Sequence, residues 1–390
     1  MVGAREEPTS NEMRHDWLAD RWVIIAPQRT TRPTDFVTTP AAIVDKGDCP
    51  FCCGHEERTP AAVASYRSSR ASNAGHWCVR VVPNKFPAVG VMWNGVPLAS
   101  PPTSSQTQDS GNTHTRGVGH DEGRGEEHGG PQAGEPGRPS TASECHQPFD
   151  LFRRRGLCGG HEVIVESPQH FQSISQLDRE TTQLVFTAYR DRLHHWLHER
   201  GLAYAVVFKN VGQDAGASLA HTHSQLIATD ILPTDVQRSI RRMQLYRERE
   251  ATCLFCRMAE DELEQQVRLV EQTPEFVAFC PFASRLPSMV TILPKRHQSR
   301  FDVLDQSQLE QLSWLTHRLV RRIERCYPEA AYNFIIHTAP SCQSGSDSFH
   351  WRLELFPRLT KVAGFEWGSD CYINPIAPEN AAAALRLARL

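Results

Sequence analysis

A chain that repeats itself must bury the same surface twice, and a weak internal repeat is the feature that most limits how these 390 residues can fold. His161-Glu-Val-Ile-Val-Glu166 and Met289-Val-Thr-Ile-Leu293 are aliphatic, β-branched runs that read as strands. Each leads through a proline turn to a histidine, His170 and His297, 127 residues apart. Leu177-Asp178 and Leu304-Asp305 come next, again 127 apart. Each Asp is placed to cap a helix, its carboxylate accepting from free N–H groups of the first turn. The helices behind them carry one apolar stripe each. Leu184, Val185, Ala188, Tyr189, Leu193, Trp196 and Leu197 form the first, and Leu309, Leu312, Leu319, Val320 and Ile323 the second. A strand follows each helix, residues 204–210 and 332–338, with Tyr204 aligned to Tyr332 at an offset of 128. After a Gly/Ser-rich loop, a last strand opens at His221 or His350, 129 apart. The repeat predicts an α+β chain of two tandem units, each an antiparallel sheet with a covering helix, over residues 1–230 and 231–390.

Residues 94–148 interrupt the first unit. From 101 to 148 the only apolar residues are Val118, Ala133, Ala142 and Cys145. Such a stretch cannot bury enough surface to offset the entropy of ordering it, so it is expected to be a mobile polar insert. Its histidines (His114, His120, His128, His146) are too loosely spaced for a metal tract. The net charge is −3. That, and the lack of a basic-aromatic stripe, argues against a nucleic-acid partner, whose phosphates demand clustered Lys and Arg. No apolar run approaches the roughly twenty residues of a membrane helix. The polar N-terminus resembles no secretory signal, so the expected compartment is the cytoplasm.

Reduced thiols in tight pairs read first as metal ligands. Cys49-Pro-Phe-Cys52 and Cys253-Leu-Phe-Cys256 each precede one repeat unit. Each unit then supplies a histidine after the strand-proline turn and another at the last strand. Cys49, Cys52, His170 and His221 form one set, and Cys253, Cys256, His297 and His350 the other. Two thiolates and two imidazoles are a zinc shell with no open position, so both sites are expected to be structural, with iron an alternative occupant of one. Cys52 is preferred to the adjacent Cys53 because the second pair has the same gap.

The halves diverge at His221-Thr-His-Ser-Gln225. On a strand His221, His223 and Gln225 share a face. With His221 committed to metal, His223 is left for chemistry; the second half has Arg352 at the matching place, so that half is expected to be silent. Gly212-Gln-Asp-Ala-Gly-Ala-Ser218 precedes the strand and lets backbone N–H groups approach a phosphate. A neutral imidazole there suits nucleophilic attack on the α-phosphorus of a nucleotide, giving a nucleotidyl-histidine. A carbonyl at His221 could accept the Nδ1 proton, and Gln225 and Ser218 could donate to the non-bridging oxygens.

The segment from Phe208-Lys-Asn to His221-Thr-His-Ser-Gln225 resembles the active-site segment of galactose-1-phosphate uridylyltransferases, a branch of the histidine-triad superfamily. So do Arg21-Trp-Val-Ile-Ile-Ala-Pro-Gln-Arg29-Thr-Thr-Arg32, Cys49-Pro-Phe-Cys52, Val79-Arg-Val-Val-Pro-Asn84, Glu166-Ser-Pro-Gln-His170 and Leu293-Pro-Lys-Arg-His297. The resemblance implies two histidine-triad-like units, with His223 as the uridylylated residue. It implies that Gln225 binds the transferred phosphoryl, that Ser218 sits at the phosphates, and that Arg29, Arg32, Asn84 and Asn210 contact nucleotide or phosphate. It implies a ping-pong exchange in which UDP-glucose loads His223, glucose 1-phosphate leaves and galactose 1-phosphate accepts, in a homodimer. The His350-Trp-Arg352 strand departs from the His-x-His of some members, and the second cysteine–histidine set and the tail Gly364-Phe-Glu-Trp-Gly-Ser-Asp-Cys-Tyr-Ile-Asn-Pro375 resemble ADP-glucose phosphorylases more closely. That makes transfer to inorganic phosphate the alternative, followed by nucleotide hydrolysis and, least favoured, a zinc-stapled nucleic-acid-binding module.

Overall fold

The computed structural model describes residues 11–31, 48–68, 77–90, 92–93, 96–97, 156–328 and 330–390. Arg32 and all of the 94–148 insert except Val96 and Pro97 lie outside the described residues. In chain order, β1 (Glu12–Asp16) and β2 (Arg21–Ile25) form a hairpin, and β3 (Ala64–Tyr66) and β4 (Val79–Pro83) open the main sheet. β5 (Met92–Trp93) and β6 (Val96–Pro97) are short. β7 (Gly159–Val165), α1 (Arg179–His194), β8 (Tyr204–Val211) and β9 (His223–Thr229) complete the first half. α2 (Thr234–Glu250) and α3 (Leu254–Gln265) lead to β10 (Leu269–Gln272), β11 (Phe276–Phe279), β12 (Val290–Pro294), α4 (Gln306–Cys326), β13 (Tyr332–His337) and β14 (Arg352–Pro357). The tail is α5 (Gly364–Ser369), β15 (Tyr372–Asn374), which pairs in parallel with β2, and α6 (Pro378–Leu387).

The fold is α+β, as the repeat predicts, and the two units share one ten-stranded antiparallel sheet. Its order is β10-β11-β12-β14-β13-β8-β9-β7-β4-β3, the same five-strand arrangement read outward from a central seam where β13 pairs with β8. α1 and α4 cover the same face. Val185, Phe186, Ala188 and Tyr189 from one, and Leu309, Leu312, Leu319 and Ile323 from the other, join Ile164, Val207, Leu226, Ile292, Phe334 and Leu353 in a single apolar core. Burial of such side chains contributes roughly 1.5–3 kcal/mol each. Both caps form: Asp178 accepts from the Thr181 N–H at 2.7 Å and Asp305 from the Gln308 N–H at 2.8 Å.

One alignment moves. β8 pairs Phe208 with Gln225, and β13 pairs Ile335 with Glu354. Since Gln225 and Glu354 are equivalent, Phe208 matches Ile335, an offset of 127 rather than 128. The burial phase agrees, with Ala205, Val207 and Lys209 buried beside the alternately buried Tyr332, Phe334 and Ile336. A one-residue slip exchanges the two faces of a strand, so the equivalent of Lys209 is Ile336. Among the described residues no helix is long and apolar enough to cross a membrane.

Candidate active site

Two clusters bring together the predicted ligands. Cys49, Cys52, His170 and His221 offer donor atoms all within 4.8 Å of one another, and so do Cys253, Cys256, His297 and His350. Cys52 Sγ lies 3.4 Å from His170 Nδ1 and 3.6 Å from His221 Nδ1, and Cys49 Sγ lies 3.5 Å from His221 Nδ1. In the second set the sulfur–Nδ1 distances are 3.4, 3.6 and 3.9 Å. A tetrahedral zinc bound by sulfur at about 2.3 Å and nitrogen at about 2.0–2.1 Å has S···N edges of about 3.6 Å, so both donor sets fit that ion. The outer nitrogens are also used: His221 Nε2 meets the Ser167 carbonyl at 2.9 Å and His297 Nε2 the Ser346 carbonyl at 3.1 Å, the orienting contacts typical of ligating imidazoles. Burial pushes His221 down to about 4, keeping it neutral as a ligand must be. Cys53 is exposed and outside the set. A third cluster, His194, His198 and Asp302, has similar spacing. There the Arg300 guanidinium already occupies both oxygens of Asp302, supplying the positive charge that the carboxylate needs.

His221 and His350 stand two residues before β9 and β14, so each Cys2His2 cluster lies at the start of a strand. His223 is then the first residue of β9, 6% exposed, on the face away from α1. Its Nδ1 lies 2.7 Å from the His221 carbonyl. A carbonyl can only accept, so Nδ1 carries the proton and Nε2 the lone pair. Burial lowers the pKa of the ring, which favours the neutral nucleophilic form. Phe51, from the first cysteine turn, packs 5.2 Å from it, centroid to centroid.

Behind the strand lies a buried polar layer that sequence reasoning missed. Glu166 and Lys209 are both 0% exposed and paired at 2.5 Å. The carboxylate also accepts from Thr222 Oγ1 (2.6 Å), Ser224 Oγ (2.5 Å) and Tyr189 OH (2.7 Å). Burial opposes its charge, but Lys209 and the hydroxyls of Ser224 and Thr222 hold its pKa below the ordinary value. Lys209 spends its other donors on Thr222 Oγ1 (2.9 Å) and the His223 carbonyl (3.0 Å). Every donor of the ammonium is therefore engaged and both carboxylate oxygens are satisfied, the condition under which a buried ion pair is tolerated. The one available signal was a lysine at a helix-facing position of an aliphatic strand, and the misaligned strand phase hid it.

On the open face Gln225 lies two residues beyond His223. Its Oε1 receives His161 Nε2 at 2.8 Å, with Asn84 Nδ2 at 3.5 Å. Asn210, on β8, shares that face, because its neighbour-but-one Phe208 pairs with Gln225. Asn210 Oδ1 accepts from Asn333 Nδ2, 2.8 Å away. The glycine loop turns at Gly212 and Gly216, with φ of +83° and +85°. A side chain at Gly212 would also meet Ala331 at 2.8 Å. Of the remaining predicted residues, Ser218 lies on this loop with its side chain exposed, and Arg29 is exposed in the helical turn after β2. The structure gives neither a contact with His223.

Residues 153–388 match a family described as a domain of unknown function (DUF4921). The chain is 30% identical over 388 residues to the ADP-glucose phosphorylase of Arabidopsis thaliana, spanning 98% of this chain and 95% of that protein. It is 29% identical over 247 residues to the galactose-1-phosphate uridylyltransferase of Thermotoga maritima, spanning 61% and 76%. A crystal structure of the Arabidopsis thaliana phosphorylase with bound ADP-glucose superimposes with a TM-score of 0.72 at 27% identity, over 98% of this chain and all of that one.

Proposed function

Since this chain belongs to the galactose-1-phosphate uridylyltransferase family of nucleotidyltransferases, we propose that it transfers the nucleotidyl group of a nucleoside diphosphate glucose through His223. The observation that carries the reading is the bond from His223 Nδ1 to the His221 carbonyl. It leaves the Nε2 lone pair on the face shared with the Gln225 and Asn210 amides. Nε2 attacks the α-phosphorus; the N–P bond forms as the P–O bond to the β-phosphate breaks, and glucose 1-phosphate departs. Attack by an acceptor oxygen on the same phosphorus then frees the histidine. Donors aimed at the non-bridging oxygens stabilise the charge that develops in both steps.

The full-length similarity to an ADP-glucose phosphorylase supports ADP-glucose as donor and inorganic phosphate as acceptor, giving ADP. It moves the finer assignment away from UDP-glucose and galactose 1-phosphate, for which the aligned Thermotoga maritima relative covers less of the chain. Uridylyl transfer is the second reading. Zinc at both cysteine–histidine sets, a catalytically silent second half (231–390) and a homodimer complete the proposal. The donor chemistry and spacing support the metal, and Arg352 in place of a histidine supports the silent half.

The test offers ADP-glucose and UDP-glucose, each labelled in the α-phosphate. ADP-glucose is expected to leave acid-labile label on His223, which inorganic phosphate releases as labelled ADP. Label from UDP-glucose alone, released by galactose 1-phosphate, replaces the first reading with the second. Release by water alone makes the protein a hydrolase, and absence of label in a turning-over enzyme rules out the covalent route.

A further inference from the structure

We propose that His161 and Asn333 are positioning residues that lock the two phosphate-facing amides, Gln225 and Asn210, with their NH2 groups turned into the site. This rests on the transfer reading above and adds the device that aims its donors. Both locks begin at a backbone group whose polarity is fixed. The Ala88 N–H donates to His161 Nδ1 at 3.1 Å. That nitrogen must hold a lone pair, so in the neutral ring the proton is on Nε2. Nε2–H then donates to Gln225 Oε1, 2.8 Å away. Asn84 joins the same group: its Oδ1 is taken by the Phe86 N–H at 2.9 Å, and its Nδ2 lies 3.1 Å from His161 Nε2 and 3.5 Å from Gln225 Oε1, so the orientation of Gln225 rests on the shorter bond from the ring. A Gln225 amide rotated by 180° would set its NH2 against the His161 Nε2–H. The Nε2 of Gln225 is therefore the end left for a ligand.

The second lock has the same logic and comes from the other half of the chain. The Ala215 carbonyl, in the glycine loop, accepts from Asn333 Nδ2 at 2.9 Å. The other hydrogen of that nitrogen goes to Asn210 Oδ1 at 2.8 Å. Asn210 Nδ2 is thereby turned outward, beside Gly216, where it is 3.8 Å from the place a side chain would begin. Asn333 stands directly across the seam from Asn210 in the sheet register. One side chain of the silent half thus ties the loop to the amide that faces the phosphate. In this arrangement His161 and Asn333 each act through the amide that they hold.

The experiment measures the rate of His223 labelling by α-phosphate-labelled ADP-glucose in a double-mutant cycle, with melting temperature and metal content alongside. His161→Phe is expected to slow labelling about 10- to 100-fold, the range that small misplacements of a reacting group produce. His161→Gln, which keeps a donor, is expected to recover most of that loss. In a Gln225→Ala background His161→Phe should change the rate less than about twofold, because the amide through which it acts is gone. Asn333→Asp, the same size with an acceptor in place of the donor, should behave likewise, slowing labelling in the native chain and not in Asn210→Ala. Equal effects with and without the held amide, or no effect in the native chain, overturn the proposal. Loss of labelling that tracks a lowered melting temperature or lost metal, with no recovery in His161→Gln, also overturns it. No label on the unsubstituted protein overturns the transfer reading and this inference together.

Discussion

On the sheet face opposite α1 and α4, the first half presents His223 and Gln225 where the second presents Arg352 and Glu354. The scaffold is otherwise matched: five strands, a capped helix, and a Cys2His2 cluster two residues upstream of the last long strand. In the second half the face is closed on itself. Glu354 accepts from Arg352 at 2.8 Å and Arg285 at 3.3 Å, with His337 at 3.5 Å. Burial opposes its charge, but Arg352, His337 and Arg285 hold its carboxyl well below the usual range. The carboxylate there is taken up by its own neighbours. An imidazole anchored at one end on a backbone carbonyl, and an amide anchored at one end on the His161 ring, keep the other end available. The layers behind the strands differ in the same sense. Lys209, Thr222 and Ser224 correspond to Ile336, Trp351 and Leu353, so His223 is backed by a polar network and Arg352 by hydrocarbon.

The largest effect should come from making the first half like the second at its reactive residue. His223→Arg is expected to cut nucleotidyl-enzyme formation by on the order of 10⁴-fold or more, the scale of losing a nucleophile. The reciprocal Arg352→His should add no label, because Glu354 and its remaining partners still fill that face. Peptide mass spectrometry after incubation with ADP-glucose checks both. Label on the peptide that carries the Arg352→His substitution would show that the halves differ by one residue only.

The polar layer comes next. Glu166→Leu or Lys209→Met alone should destabilise the fold by about 3–5 kcal/mol, since each strands a buried charge. The double substitution, which copies the apolar layer of the second half, should cost well under the sum. Urea unfolding of the four proteins measures this. Additive losses would mean the pair is not coupled.

The helix caps should show the smallest effect and no asymmetry. Asp178→Ala and Asp305→Ala are each expected to cost about 1 kcal/mol. A difference of more than about twofold between them, in the same unfolding assay, would mean that the helices are not equivalent supports.

Much of this was legible in the sequence because local chemistry fixes it. Asp178 and Asp305 cap where they stand; the eight candidate ligands meet because two-residue cysteine gaps and proline turns leave little choice. The His-x-His-x-Gln pattern needs only the period of a strand. What was not legible depended on phase or on distance. Ala-Val-Val-Phe and Phe-Ile-Ile are apolar on both faces, as strands covered on both sides tend to be, so alternation could not correct the slip between Tyr204 and Tyr332. Once the phase is wrong, Lys209 looks like a surface residue. His161 and Asn333 stay invisible for another reason: their partners are 64 and 123 positions away in the chain. The fusion of two small sheets into one was likewise written in no single segment.

That seam has a consequence for how the protein is made. Tyr332 meets Val211 and His337 meets Val206, contacts between segments separated by well over a hundred residues. Pairings so distant carry a high loop-closure cost and form slowly. Until β13 emerges from synthesis, β8 is a bare, largely apolar edge, the kind of template that recruits strands from other molecules. Chaperone dependence during translation, and aggregation of chains interrupted between the halves, should therefore concentrate at residues 204–211.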